Sequence, residues 1–120
     1  MKRSIAVDLA GLALATPVMV ASGCAGTGRE LTGLIDTRRI GALVTRSITL
    51  RPRRGDPTPS IAESPAGITW TTGIQNPGIE EFIDEELPLH ARAGAAVIVS
   101  IVGRTLEEFV RLTSLLQGRP

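Results

Sequence analysis

Thr45-Arg46-Ser47-Ile48-Thr49-Leu50-Arg51-Pro52-Arg53-Arg54-Gly55-Asp56-Pro57 decides how the rest of the chain is read. The apolar approach Ala42-Leu43-Val44 runs into hydroxyls and an arginine, then into a basic, proline-studded loop. A strand ending this way delivers polar side chains to its C-terminal end, the face on which barrels of alternating strands and helices place their active sites. Burying a charge without a partner is costly, so Arg46 at such a strand end implies an anionic ligand or a salt bridge.

Outward from that strand, which the pattern extends from Ala42 to Ile48, the same rhythm recurs. Toward the N-terminus, Ser4 to Leu9 and Leu12 to Ala15 alternate with a period of two and turn at Ala10-Gly11, a hairpin. Pro17 opens a continuously apolar strand, Val18 to Ala21, of the kind covered on both faces. The flexible loop 22–28 follows, then a helix with Leu31, Leu34 and Ile35 on one face, Glu30 in its first turn and Arg38-Arg39 in its last. Gly41 is its stop.

Beyond the central stretch, 51–76 has no helical period and is punctuated by Pro52, Pro57, Pro59 and Pro65, with Pro77 just after it. A structureless segment of that length is uncommon and usually functional. A second helix is predicted from Pro77, with Ile79, Phe82 and Ile83 apolar, Glu80 and Glu81 in the first turn, and a break or kink at Pro88. Ala95 to Val102 reads as another buried strand. Thr105-Leu106-Glu107-Glu108 then forms a capping box opening a third helix, with Leu106, Phe109, Val110, Leu112, Leu115 and Leu116 as its apolar face. A hairpin followed by three strand–helix units implies an α/β fold with a parallel sheet and right-handed crossovers. Three parallel strands leave open edges, so residues 1–120 are expected to be the N-terminal part of one larger domain, or a truncated reading frame.

Composition narrows the function. In 120 residues, 42% are hydrophobic, and 13 Lys and Arg against 12 Asp and Glu leave a formal charge of +1. Nothing there predicts a nucleic-acid or membrane partner, and one Trp with no Tyr makes base stacking improbable. The single cysteine, Cys24, excludes an internal disulfide and suits a reducing compartment. Met1-Lys2-Arg3 and the later Val20-Ala21-Ser22-Gly23-Cys24 raise the alternative of a lipid-anchored envelope protein cleaved before Cys24. Asp8, Gly11 and Pro17 count against it, because they interrupt the helix such a leader forms.

Several residue groups have bland readings. The loop from Gly23 to Gly28 lacks the order of a phosphate-binding motif, which leaves close backbone approach to a planar ligand or simple turn chemistry. Cys24 is expected as a small buried residue and His90 as a surface one. Glu80, Glu81, Asp84, Glu85 and Glu86 read as a solvated helix face. Arg51, Arg53 and Arg54 are either a solvated loop or an anion or subunit contact.

Taken together, the runs 17–28, 45–53, 55–59, 61–64 and 73–78 resemble the dihydroorotate dehydrogenase family, and within it the catalytic subunit of the NAD-linked bacterial class, class 1B. The similarity extends over essentially the whole chain in the family's order. It implies the hairpin and first three strand–helix units of an FMN-bearing (β/α)8 TIM barrel that oxidises dihydroorotate to orotate in pyrimidine biosynthesis. It also implies a cytoplasmic location, a homodimer and an FAD/iron–sulfur electron-transfer subunit as partner.

Residue by residue, the resemblance assigns Ser22, Gly23, Arg46, Ser47 and Ser100 to FMN. It assigns Arg46, Trp70, Thr71, Thr72, Gly73 and Ile74 to the substrate, partly through backbone amides near Gly73 and Ile74. Arg46 stands where the family has lysine, a planar fork for a compact ammonium. Trp70 stands where the family has a substrate-binding asparagine. The catalytic base is expected beyond Pro120, so the 120-residue chain alone is not expected to catalyse. A flavin oxidoreductase with another substrate, and a non-catalytic truncated fragment, remain the alternatives.

Overall fold

The computed structural model describes residues 4–25, 33–94 and 96–119. The expected N-terminal hairpin is present: β1 (Val7–Leu9) pairs antiparallel with β2 (Leu12–Leu14), Val7 opposite Leu14 and Leu9 opposite Leu12. Ala10 and Gly11 take φ of 51° and 91°, as a two-residue turn matched to strand twist requires. Asp8 Oδ1 accepts the Gly11 N–H at 2.9 Å. Only Leu14 of this hairpin is buried.

β3 is shorter than its apolar run suggested, Met19–Val20, and it is not covered on both faces: Val18 and Met19 are exposed. The first expected helix is also corrected. Glu30 and Leu31 lie outside the described residues, but from residue 33 onward there is only one 3-10 turn, Thr37–Arg39. Asp36 dictates it, accepting the Arg38 N–H and pairing with the Arg38 guanidinium at 2.8 Å, a local bond that competes with helix continuation. Leu34 and Ile35 consequently face solvent.

Gly41 enters β4 (Ala42–Val44) through a close backbone crossing: a Cβ there would lie 2.0 Å from Thr16 O. Residues 51–76 are not structureless. They contain the antiparallel pair β5 (Ile61–Ser64) and β6 (Gly67–Trp70), with Ile61 opposite Trp70 and every residue of both strands exposed. The following helix begins as α1 (Ile79–Glu81), widens into one π turn over Phe82–Glu86, and continues as α2 (Leu87–Ala93). The expected break at Pro88 does not occur. Leu87 N–H reaches back to Phe82 O, so Pro88 falls in the first turn of α2, where its missing N–H is not needed.

β7 (Ala96–Ile98) completes a three-stranded parallel sheet in the order β3-β4-β7, with Met19, Ala42 and Ala96 in register. The ladder continues irregularly past the strands: Thr45 N–H donates to Ile98 O at 3.0 Å, Ile48 N–H to Ser100 O at 2.8 Å, and Val102 N–H to Ile48 O at 2.9 Å. Last comes α3 (Leu106–Leu116), capped by Thr105, whose hydroxyl accepts the Glu108 N–H at 3.3 Å. The return half of the capping box is displaced by one residue, since Glu108 Oε2 accepts from Arg104 N–H.

The core joins the helical elements to the sheet's C-terminal end: Ile48, Ile79, Phe82, Ile83, Leu87 and Leu112 are buried together. Of the apolar face expected for α3, only Leu112 is buried; Leu115 and Leu116 are half-buried and Leu106, Phe109 and Val110 are exposed. The fold is thus mixed α/β on a parallel sheet, and the sheet is not closed among the described residues.

Candidate functional site

Because β3, β4 and β7 run parallel, their C-terminal ends deliver Ser22-Gly23, Arg46-Ser47 and Ser100 to one end of the sheet. A cavity of about 280 Å³ lies there, lined by Ser22, Gly23, Cys24, Arg46, Ser47, Trp70, Thr72 and Ile74. Seven of these eight residues are ones the family resemblance assigns to a flavin or substrate. Of the others assigned there, Ser100, Thr71 and Gly73 do not line the cavity; Ser100 bonds the lining residue Ser47, and Thr71 and Gly73 flank Thr72 in the chain.

Ser100 is joined to Ser47 by a hydroxyl–hydroxyl hydrogen bond of 3.0 Å. Its own N–H donates to Thr45 Oγ1 at 3.1 Å, and Thr45 is fully buried. The two strand ends are therefore fixed to each other by side chains where the regular ladder stops. Arg46 is half-buried, and its Nη1 donates to Gln75 O at 3.3 Å. No carboxylate among the described residues pairs with Arg46, which lines the cavity.

The turn bearing Thr72, Gly73 and Ile74 is a shaped backbone. Gly73 and Ile74 both have positive φ, 59° and 54°, a conformation that is unfavourable for a β-branched residue. Gly73 is required for space as well, because a Cβ would lie 2.5 Å from Asp56 N. Thr71 anchors the approach to the turn: its hydroxyl donates to Asp56 Oδ2 and its N–H donates to Ser60 O. The Thr72 and Ile74 carbonyls accept bonds from Gln75 N–H and Asn76 Nδ2. No acceptor engages the Gly73 and Ile74 amides among the described residues, which leaves these donors available to an anionic group.

Asn76 holds this turn and was not singled out from the sequence as a site residue. It is buried; Oδ1 accepts from Thr49 N–H at 3.1 Å and Gly78 N–H at 2.9 Å, while Nδ2 donates to Ile74 O at 2.8 Å and Thr49 Oγ1 at 3.0 Å. The Thr49 hydroxyl spends its proton on Arg51 O at 2.6 Å, which leaves its lone pair for Nδ2. Asn76 and Arg53 also exchange backbone bonds at 2.9 and 3.0 Å. The readable signal was Asn76-Pro77-Gly78, an amide side chain bonding two residues ahead to open a helix.

Three other expectations resolve here. Cys24 is exposed and lines the cavity; the turn closed by Cys24 N–H to Ala21 O presents it there rather than in the core. His90 is buried, 2% accessible, because the helix continues through Pro88 and seats the imidazole 6.3 Å from the Phe82 ring. Arg51 and Arg53 stand apart from the cavity and line another one, about 220 Å³, with Arg104 and Glu108; Arg54 is exposed. Glu80, Glu81, Asp84 and Glu85 are exposed, as a solvated face requires, whereas Glu86, expected on the same face, is half-buried. Among the described residues no helix is long and apolar enough to cross a membrane, and no group of three or more His, Cys, Asp or Glu could hold a metal.

Comparison with known proteins identifies the family. The chain is 47% identical over its full length to the dihydroorotate dehydrogenase B (NAD(+)) catalytic subunit of Desulforudis audaxviator, of which it covers 39%. It is equally similar, 47% over the full chain, to the subunit of that name from Pelobacter propionicus, covering 40%. With that of Thermoanaerobacter pseudethanolicus it shares 43% over 113 residues, 94% of the chain and 37% of the relative. It thus spans about two fifths of the length of the curated relatives it matches. A family model described as dihydroorotate dehydrogenase matches residues 4–119, and the chain belongs to the dihydroorotate dehydrogenase family.

Proposed function

We propose that this chain forms the flavin- and substrate-facing corner of an FMN-dependent dihydroorotate dehydrogenase that converts dihydroorotate to orotate. The carrying observation is convergence: three separate segments, 22–24, 46–47 and 70–74, meet around one cavity at the C-terminal end of a parallel sheet. On this reading β3, β4 and β7 are three strands of a (β/α)8 barrel, and residues 1–120 are the N-terminal portion of that single domain.

The lining fits the group the family implies. Ser22 and Ser47 hydroxyls and the Arg46 guanidinium are hydrogen-bond donors suited to the oxygen- and nitrogen-rich edge of a flavin ring. A Cβ on Gly23 would meet no atom within 4 Å, so that backbone is open to a flat ligand. FMN, when bound, would supply the acceptor for a hydride, two electrons with one proton. The protein's own residues do the positioning. Ser100 fixes the Ser47 hydroxyl, Asn76 fixes the turn, and Arg46 with the Gly73 and Ile74 amides holds the substrate's negative charge. A catalytic base is assigned to residues beyond Pro120. The relatives' name, catalytic subunit of an NAD-linked enzyme, supports an electron-transfer partner subunit; assembly as a homodimer belongs to the same proposal.

Purification of the intact protein tests this reading. A yellow protein with a flavin absorbance band that is bleached by dihydroorotate under anaerobic conditions is the expected result. A colourless protein that takes up no FMN would refute it. A flavin oxidoreductase with another substrate is favoured as a second reading by Trp70 in the lining.

A further inference from the structure

β4 and β7 pair regularly as far as Val44 opposite Ile98, and the parallel pairing resumes at Ile48 opposite Ile101. Between these points Thr45, Arg46 and Ser47 stand against only Val99 and Ser100. The strand end that carries Arg46 is therefore a β-bulge, one extra residue on one strand, a feature rare between parallel strands and common beside active sites. Backbone bonds bracket it. Thr45 N–H donates to Ile98 O on one side; Ile48 N–H to Ser100 O and Val102 N–H to Ile48 O restore the ladder on the other.

One bond within the bulge is made by a side chain. A regular parallel ladder would send the Ser100 N–H to the Thr45 carbonyl. It goes instead to Thr45 Oγ1, at 3.1 Å. Thr45 is fully buried, and its β-branched side chain has few rotamers to choose from. The bulge also accounts for an arrangement that strand alternation forbids. Successive strand residues point to opposite faces, yet Arg46 and Ser47 both line the cavity of about 280 Å³. The Ser47 hydroxyl lies 3.0 Å from that of Ser100, the residue whose amide Thr45 holds.

We propose that Thr45 is a positioning residue for the flavin: its hydroxyl replaces its own carbonyl in the ladder, holds the bulge open, and so turns Arg46 and Ser47 together into the cavity. Thr45 itself is not part of the lining. The proposal rests on the assignment of FMN to this cavity. Without the hydroxyl, the Ser100 N–H is left to the Thr45 carbonyl, which draws the strand back toward regular pairing. A slip of one residue sends each side chain to the opposite face. FMN then has to reopen the bulge or forgo one of its two contacts.

The test titrates FMN into the flavin-free intact protein and follows the quenching of flavin fluorescence, in the parent and in its Thr45→Val and Thr45→Ser variants. Valine keeps the branched shape without an acceptor; serine keeps the acceptor without the methyl group. The expected result is a dissociation constant raised about tenfold or more in T45V and held within about threefold of the parent in T45S. A second readout separates positioning from mere stability. Combined with Ser47→Ala, T45V should lose less than the product of the two single losses, by about threefold or more, because both changes act on one contact. T45V unchanged within the T45S margin, equal weakening in T45V and T45S, or losses that multiply in the double variant overturns the positioning role and leaves the FMN assignment standing. If T45V does not fold, Thr45→Ala takes its place; a second failure to fold beside a folded T45S confines the hydroxyl to stability and overturns the proposal. A parent that takes up no FMN overturns the assignment and the proposal with it.

Discussion

Replacing Asn76 with alanine tests whether the site turn is held by one buried amide. The substitution strands Gly78 N–H, which is buried, along with Thr49 N–H and the Ile74 carbonyl, and removes the bond to Thr49 Oγ1. Each buried group left without a partner costs about 1–3 kcal/mol. Relaxation and water entry at the half-buried Thr49 reduce the sum, and about 3 kcal/mol is the expected loss. Urea denaturation of the intact protein, with calorimetric binding of orotate alongside, measures both consequences. Thr49→Val, which deletes only the shared hydroxyl, completes a double-mutant cycle. The pair share the Nδ2–Oγ1 bond, so the two losses should fall short of additivity by about 1 kcal/mol. A loss below about 1 kcal/mol for N76A, or strict additivity, would show that the turn is held by something else.

Three further outcomes follow from other parts of the structure. Gly73→Ala, which forces a Cβ to 2.5 Å from Asp56 N at positive φ, should destabilise by about 2 kcal/mol and abolish orotate binding measured by calorimetry. Thr105→Ala should cost about 1 kcal/mol in urea denaturation, the usual value of an N-cap side chain. The Thr105 hydroxyl, and then the backbone hydrogen bond, holds the Glu107 carboxyl below its usual range. Its pKa is depressed on folding, so any stabilisation is complete above the ordinary carboxylate value and is lost as pH falls through the folded value. The same variant should raise the Glu107 pKa in an NMR titration. Arg46→Ala should weaken orotate binding at least tenfold, with the loss shrinking as salt is raised, since Arg46 lines the cavity and no carboxylate among the described residues pairs with it.

The features legible from sequence were those with a local cause. Ala10-Gly11 between alternating apolar residues specified its hairpin, and Thr105 with Glu108 specified where α3 begins. Arg46 and Ser47 could be placed because they follow an apolar strand, whereas Ser22 and Ser100 are assigned only through the family resemblance; parallel strands bring these equivalent ends together. The β5–β6 hairpin was hidden for the opposite reason. Both its faces are exposed, so Ile61-Ala62-Glu63-Ser64 shows no buried stripe, and the surrounding prolines read as loop.

Burial of His90 was illegible because it depends on Pro88 being absorbed. A one-turn widening of the helix leaves no mark in the residue pattern, yet it decides whether the chain beyond it continues toward Phe82. Asp36 illustrates a local bond overriding a pattern: Leu34 and Ile35 have helical spacing, but the carboxylate binds Arg38 and ends in a 3-10 turn. Asn76 was visible as a motif and invisible as a hub, because Thr49 and Arg53, which tie it to the sheet end, lie far back along the chain.

The reciprocal backbone pairing of Arg53 with Asn76 has an evolutionary consequence. It closes the intervening excursion, including the hairpin that ends in Trp70, at both of its feet. Changes of length or sequence inside a loop closed this way are not transmitted to the register of β4 and β7. A lineage could exchange the residue that meets the ligand, or lengthen the hairpin that presents it, while inheriting the sheet unchanged. On the proposed function, the hairpin wall of the cavity is a replaceable module, and the strand ends of the sheet are the part that must persist.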